Sequence, residues 1–537
     1  MSVTNLDFLK KGGLYPPNTE IDRLAKYKRY DDIFYSRMGD AYSTYIKDAT
    51  KNNNIVDQMM TLFSNPRIMN YGRAITKKTV DLMLSRTPSL TYTTVEGDND
   101  LIEVKRSTKV FKKLKTAFID VSRYGDGYAR EYNKIGRTED ENGELSAGEA
   151  GCNIINPSLV TLVVSPLDKE DVQKIIVGWV DEVDSEEIST TGLIATNREY
   201  FLSVEIHEPG QYEYKRFKVA NPILNTGAVK QYMIEEEVTP AEMRGKKKTG
   251  LKGFAIKHFI NFSTSDEPLR GLSDYDMFDS LMLDLCQRVS QLSEVFEKHG
   301  NPSMQGSPEL MSTDENGDPV FYAGDFYPIS DGQKELSYIT WDSKSKEVID
   351  YCNNILKQIF ILSEMGDGSI MGFSDGSNGF AESGKGIRMK MASPLMKAQS
   401  LMSDNEDEII SLIHDLATIM GKKLEVQNIE VQWNDGLPVD WVEETNNFNS
   451  RVTNNTESIV YGLQRRFGMT PEQANDEFQQ ILKELKEKTE NTQKIMENTL
   501  QNGNSGANMN KESKTREQVE NELDGKNSQR TPSNPNK

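Results

Sequence analysis

The sequence contains few of the residues that form metal centres and disulfide frameworks. Its 537 residues include only three cysteines and four histidines, and both types are scattered along the chain. We therefore expect reduced thiols in a cytosolic protein and no His/Cys metal site. No run of about 18 apolar residues is present, and the first residues lack an apolar stretch suited to a signal peptide. We therefore expect neither a membrane span nor a secretion signal.

Positive charge is also in the minority. The formal net charge is -20 at pH 7, and such an acidic surface repels phosphates. The charge therefore disfavours a protein that grips nucleic acid over its whole surface, although it does not exclude one that DNA passes without sticking. A chain of this length is too long for one hydrophobic core, so two or more lobes are expected.

Enzyme motifs are absent, with one partial exception. We find no G-x-S-x-G, HExxH or paired cysteine ligands, and we assign no catalytic residue, metal or cofactor. The segment GFAESGKG places Gly379, Gly384 and Lys385 at the fixed positions of a P-loop, but Gly386 stands where Ser or Thr should bind magnesium. A P-loop also needs a preceding strand, whereas the pattern predicts a helix there. A flexible glycine-rich loop is favoured, and a P-loop ATPase remains the less favoured alternative.

Helical and β-rich regions alternate along the chain, which predicts an α+β fold. Residues 1–90 look mainly helical. From Pro88 to about residue 262, short runs of β-branched and aromatic residues separated by Gly, Pro or acidic turns favour strands.

Two apolar stripes then predict a pair of long helices around a small β insert. The first helix spans 272–302, with Ser273 as its N-cap; its stripe is Phe278, Met282, Leu285, Val289, Leu292 and Phe296. The second spans 343–365; its stripe is Val348, Cys352, Ile355, Ile359 and Leu362. We expect neighbouring subunits to bury these stripes.

The remainder continues with a glycine-rich stretch over 366–386 and a helix that ends at Gly421. Pro394 lies inside that helix and should kink it. A strand follows over 424–433, and helices follow over 440–497. From about residue 498 the chain is polar and is predicted to be disordered.

This order of elements resembles the portal proteins of tailed bacteriophages, of the long-tailed, siphovirus type. Three stretches carry the resemblance: NYGRAITKKTVDLMLSRTPSLTY (70–92), SRYGDGYAREYN (122–133) and the segment 260–302. In the last, a strand leads through Gly271, Ser273 and Asp274 into the first long helix. The resemblance covers roughly residues 50–490, and it rests on the order of the motifs rather than on any one of them.

The resemblance implies a portal fold with wing, stem, clip, tunnel and crown parts. The implied bounds are an N-terminal helical arm (1–49), wing (50–272), stem helix 1 (273–299), clip (300–342), stem helix 2 (343–365), tunnel loop (366–385), kinked tunnel helix (386–421), wing return strand (422–440), helical crown (441–497) and disordered tail (498–537).

It also implies which residues face a central channel. The candidates are Gly379, Ser383, Gly384, Lys385, Arg388, Lys390 and Lys397. Small glycines would let many copies of the loop share a narrow ring. The basic residues would either form a ring of weak phosphate contacts, or else make salt bridges between subunits or remain solvent-exposed.

The implied function is a homo-oligomeric ring, a dodecamer by the family rule, at one vertex of the capsid. Double-stranded DNA would be packaged through it by the large terminase and later ejected. Further implied partners are head-completion or adaptor proteins and the major capsid and scaffold proteins, with no membrane. The implied location is the virion, and the host cytoplasm during assembly. The main alternative is another ring-forming head–tail adaptor, although adaptors are usually shorter and lack the helix–β insert–helix arrangement.

Overall fold

A computed structural model describes most of the chain. The described residues are 3–37, 69–134, 147–188, 194–224, 229–300, 304–306, 312–313, 319–320, 326–328, 337–338, 345–366, 391–433, 441–467 and 469–502. The chain divides into two compact units, Met1–Asn446 and Asn447–Lys537.

Eleven α-helices lie within the described residues. They are α1 Ile21–Phe34, α2 Tyr71–Leu84, α3 Val95–Thr108, α4 Val110–Tyr124, α5 Asp279–Gly300, α6 Ser345–Leu362, α7 Ala392–Asp404, α8 Glu406–Ile419, α9 Trp441–Thr453, α10 Ile459–Phe467 and α11 Pro471–Asn502. Helices and strands are mixed along the chain, as expected for the α+β class, whereas the portal arrangement stays a prediction.

The strands are mostly antiparallel. They are β1 Leu14–Tyr15, β2 Ser89–Tyr92, β3 Asp126–Asn133, β4 Ala150–Ile155, β5 Val160–Val164, β6 Val172–Ile188, β7 Ile194–Glu208, β8 Gln211–Val219, β9 Ile223–Leu224, β10 Lys230–Glu237, β11 Lys246–Lys248, β12 Ile256–Ile260, β13 Met304–Gly306, β14 Ser312–Thr313, β15 Pro319–Val320, β16 Phe326–Pro328, β17 Ser337–Tyr338 and β18 Ile429–Gln432.

The largest sheet has the order β1-β10-β8-β7-β6-β5, with β11 and β9 added at β8 and β10. The first residues of the chain pack against it. Val3 and Phe8 belong to one apolar cluster with the strand residues Ile176, Leu202 and Val204. The N-terminal residues therefore form part of a core rather than a separate arm, and the strand-rich prediction for the middle of the chain is confirmed from β3 onward.

The stretch between β2 and β3 is helical, and the prediction of strands there was wrong. Thr94 caps α3 by accepting a hydrogen bond from the Gly97 amide at 3.2 Å. Lys109 separates α3 from α4 in the left-handed conformation (φ 54°). Apolar residues recur at helical spacing in α4, where Leu114 and Val121 are fully buried. A search for a period of 3.6 would have found this helix.

A second sheet, β12-β3-β4, packs against α4 and α8. The largest apolar cluster lies here and includes residues of α2, α3, α4, α7 and α8. The predicted return strand is β18, which pairs with β2 in antiparallel register, from Ile429 opposite Tyr92 to Gln432 opposite Ser89. The chain therefore does return to the region of residues 50–272 after the long helices.

The predicted β insert is confirmed as β structure. Strand β13 pairs with β16 in parallel and with β17 antiparallel, and β14 pairs with β15. The insert begins after α5 and ends before α6, so the order helix–β insert–helix is present.

The second unit is helical in its described residues. Thr470 and Gln473 form a reciprocal capping box at the start of α11, with both N–H···O distances at 3.2 Å, as the sequence predicts. Helix α11 continues to Asn502, so the predicted boundary of the disordered tail at 498 is too early. Residues 503–537 lie outside the described part of the chain.

Candidate functional site

Two sequence patterns, SRYGDG (122–127) and RGLSD (270–274), lie against each other at the base of α5. Ser122 Oγ donates to Asp274 Oδ2 at 2.6 Å, and Ser273 Oγ donates to the Arg123 carbonyl at 2.6 Å. A Cβ atom on Gly271 would lie 2.0 Å from the Gly125 carbonyl oxygen, and Gly125 itself has φ 88°. Glycine is therefore required where the two segments touch.

Asp274 joins several parts of the first unit. Besides Ser122, its carboxylate accepts a hydrogen bond from Asn261 Nδ2 at 2.9 Å and pairs with Lys397 Nζ at 2.8 Å. Lys397 also donates to the Ser363 carbonyl at 3.1 Å. These five residues, which we call the buried junction, connect the turn before α5, the chain just after α6 and the second turn of α7.

The position of Lys397 corrects its assignment as a channel-facing residue. Its side chain is 8% exposed, and its ammonium group is committed to Asp274 and Ser363. A lysine that is buried and paired within its own chain cannot also offer a phosphate contact or a salt bridge to a neighbouring subunit. The sequence shows a local cluster of basic residues, but their spacing does not indicate which of them is buried in the folded chain.

The other channel candidates lie outside the described residues. They are Gly379, Ser383, Gly384, Lys385, Arg388 and Lys390, all within 367–390. The described residues on either side of this segment are held together, since Ser393 Oγ donates to the Glu364 carbonyl at 3.0 Å. The two flanks of the segment therefore lie close together, beside the buried junction.

Helices α5 and α6 pack as an antiparallel pair. The Tyr351 hydroxyl donates to Asp284 Oδ2 at 2.9 Å in the middle of the pair. At the base, Lys397 bridges Asp274 and Ser363. The later residue of α5 thus contacts the earlier residue of α6, so the two helices run in opposite directions.

The predicted stripes are buried mainly by this chain itself, not by neighbouring subunits. Phe278, Met282, Leu285, Ile355 and Ile359 are buried in one cluster with residues of α1 and α2. Val289 and Cys352 pack on this cluster, Leu292 and Val348 are half-buried, Leu362 is 39% exposed and Phe296 is 54% exposed. In α5 the stripe therefore serves as core at the base of the pair and becomes exposed toward Phe296, whereas in α6 Leu362 is exposed at the base itself.

The start of the first long helix differs from the prediction. Ser273 accepts a hydrogen bond from the Tyr275 amide at 3.0 Å and caps a short 3-10 turn, Asp274–Met277, while α5 begins at Asp279. Ser273 therefore fixes the turn that carries Asp274, rather than the helix itself.

The helix predicted over 386–421 is broken in its described part, but not at Pro394. That proline lies in the first turn of α7, where an amide would have no partner within the helix. The break comes at Asn405, between α7 and α8. Its side chain accepts from the Ile260 amide at 2.8 Å and donates to the Ile260 carbonyl at 2.9 Å. The Asn405 side chain thus pairs with both backbone groups of Ile260 at the end of β12, as the backbone of a neighbouring strand would.

Sequence reasoning missed a buried ionic cluster that fixes α8 to the second sheet. Lys257 Nζ lies 2.7 Å from Asp415 Oδ2 and 3.9 Å from Glu131 Oε1. Burial raises the pKa of Glu131 well above its usual range, and Lys257 offsets this only in part. The only signal was a lysine within the apolar strand FAIKHFI.

Asp126 forms another buried polar network, beside the Gly125–Gly271 contact. Its carboxylate accepts from the Tyr27 hydroxyl at 2.5 Å and from the Gly271 amide at 3.1 Å, and lies 2.8 Å from His258 Nε2. Burial alone would raise the pKa of Asp126, but His258 and Arg270 outweigh it and lower the pKa to about 2. These bonds fasten α1 and β12 to β3.

Within the part of the chain that the structure describes, no group of three or more His, Cys, Asp or Glu side chains could hold a metal ion. None of the described helices is both long and apolar enough to cross a membrane. No protein-family model matches the chain, and no curated protein matches it in sequence.

Proposed function

We propose that this chain is the subunit of a portal ring, through which double-stranded DNA enters and leaves a phage capsid. The observation that carries the proposal is the helix–β insert–helix arrangement, joined at its base to both ends of a glycine-rich segment. The insert follows the far end of the helix pair, and the described flanks of the segment 367–390 lie at the base of the pair, beside the buried junction.

Ring formation is supported by apolar side chains that the described chain leaves exposed. On and beside the helix pair these are Met277, Phe296, Ile349, Ile361, Leu362 and Met396. Apolar side chains exposed along a helix pair favour protein contacts, and identical subunits that associate head to tail close into a ring when the rotation permits.

The proposed partners are those that the resemblance to portal proteins implies. The β insert would meet the large terminase during packaging and head-completion proteins afterwards, and the body would face capsid and scaffold proteins. The net charge of -20 suits a channel wall that repels phosphates and lets DNA slide.

Mass measurement with negative-stain imaging tests the proposal. We expect rings with a central hole, twelve-fold in the virion. A monomeric mass by light scattering at every concentration would contradict it. Rings that do not pass DNA in a packaging assay would favour a head–tail adaptor, and measurable ATP binding would favour the P-loop alternative.

A further inference from the structure

Helices α2 and α4 are antiparallel neighbours, and the end of α2 is level with the start of α4. Ser122 Oγ donates to Thr76 Oγ1 at 3.1 Å, and Lys115 Nζ lies 2.6 Å from Asp81 Oδ1. The later of these two α2 residues thus contacts the earlier α4 residue. The chain just after α2 therefore comes close to the residues that open α4.

The last turn of α3 lies at the same place. Lys105 Nζ donates to the Pro88 carbonyl at 2.8 Å and lies 5.3 Å from the centre of the Phe111 ring. It thereby links the chain just after α2, the end of α3 and the start of α4. Five basic residues of these three segments form a group that we call the basic corner: Arg86, Lys105, Arg106, Lys109 and Lys112.

No carboxylate among the described residues neutralises the basic corner. Three of its side chains are exposed and two are half-buried, and none of the five forms an ion pair with a described residue. The acids on the same helices have other partners: Asp81 binds Lys115 at 2.6 Å, and Asp100 and Glu103 both bind Lys422 at 2.8 Å. The corner therefore keeps its positive charge.

This positive charge is local. The whole chain carries a formal net charge of -20, so most of its surface repels a polyanion. Within the corner, burial and then the neighbouring charge of Arg106 lower the pKa of Lys105, which is the direction expected where positive charges crowd together. A polyanion would therefore be held here rather than over the whole surface.

The surroundings of the basic corner suit a phosphate backbone better than an acidic protein surface. No large apolar side chain is exposed among residues 96–134, all of which the structure describes. Interfaces between proteins usually have an apolar centre, whereas protein contacts with duplex DNA are more polar and more positive.

We propose that the basic corner is a second contact for duplex DNA, outside the segment 367–390. Its lysine and arginine side chains bind phosphates along the outside of the duplex and do not read the base sequence. The choice of DNA rests on the proposed function, because a phosphate backbone is common to DNA and RNA.

A salt series with a short labelled duplex of mixed sequence, followed by fluorescence anisotropy, tests the contact. Arg106→Gln/Lys112→Gln removes two exposed cations at helical positions that glutamine tolerates well. We expect the slope of log Kd against log salt concentration to fall by about two, and the affinity at low salt to fall by about tenfold or more. As a control, Lys169→Gln/Lys230→Gln removes the same charge from exposed lysines of the large sheet and its loops, and should bind as wild type does.

Circular dichroism verifies folding, and light scattering verifies that assembly is unchanged. If the double variant does not fold, the single variants Arg106→Gln and Lys112→Gln replace it, and each should lower the slope by about one. No binding by wild type, or an unchanged slope in the folded variants, would overturn the contact. An equal loss in the control would show a general effect of net charge and would overturn it too.

Polyglutamate serves as the competitor that stands for an acidic protein. If it displaces the labelled duplex better than unlabelled duplex does at equal charge concentration, the partner is an acidic protein and the contact with DNA is wrong. Wild-type protein that forms no rings would overturn the portal proposal alone, because duplex binding is measured in the same sample whatever its state of assembly.

Discussion

At the scale of single residues, buried ionic contacts decide how the helix pair is attached. Asp274 and Lys397 are 4% and 8% exposed, and their charged atoms lie 2.8 Å apart. Removing one member of such a pair leaves an uncompensated charge in the interior, which costs more than the pair contributes when intact.

Lys397→Met should lower the free energy of unfolding by about 3 kcal/mol, because Asp274 would remain buried without its cation. Asp274→Asn/Lys397→Met should lose less, since no ionic group is left there. Urea denaturation gives both values, with exposed Lys423→Met as the matched control. Equal losses in the single and double variants would mean that the pair is not coupled.

The raised pKa of Glu131 predicts how folding stability depends on pH. An ordinary paired carboxylate stabilises the fold as pH rises, whereas ionisation of Glu131 should destabilise it. Its pKa is raised in the folded protein, so its contribution favours folding at low pH and is lost as pH rises above the unfolded value. Glu131→Gln should therefore stabilise the protein at pH 8, because a raised pKa means that the ionised carboxylate is unfavourable in the folded state. The gain should shrink toward pH 5. Urea titrations at both pH values, with exposed Glu430→Gln as control, check the sign.

At the scale of elements, sequence patterns predicted the helix pair, the β insert and the return strand, and the residue types at 470–473 predicted the cap of α11. Sequence reasoning missed α3 and α4 because the strand signals around them were extended across a helical pattern. The sequence placed the break between α7 and α8 at Pro394, because proline is the usual local cause of a kink. Asn405 has no such local signal, since its partner Ile260 is distant in sequence.

Asn405→Leu should therefore be far more harmful than Pro394→Ala. The leucine would leave the amide and carbonyl of Ile260 without the partners that Asn405 supplies, at a cost of about 2 to 4 kcal/mol. Pro394→Ala should cost no more than about 1 kcal/mol, because the first turn of α7 does not need its amide. Chemical denaturation measures the loss of stability in each variant. A larger loss in Pro394→Ala than in Asn405→Leu would contradict the assignment of the break to Asn405.

At the scale of the whole molecule, the proposal depends on the segment 367–390, whose flanks are joined beside the buried junction. If this segment lines a channel in every subunit, each side chain in it is repeated around the ring. Changes too small to matter in one copy would then act many times at one constriction.

Gly379→Val/Gly384→Val should therefore block DNA packaging, because bulk and restricted φ would stiffen every copy of the loop. Lys385→Ala should leave assembly intact but alter packaging or retention, since weak, salt-sensitive phosphate contacts would be lost around the ring. Neither the native protein nor Gly386→Ser should bind ATP measurably, because a helix, α6, precedes the segment where a P-loop needs a strand. A complementation assay that scores packaged DNA, with light scattering for assembly, separates these effects. Normal packaging by the double valine variant would show that the loop does not need its glycines, and the channel assignment of 367–390 would then fail even if the rings themselves form.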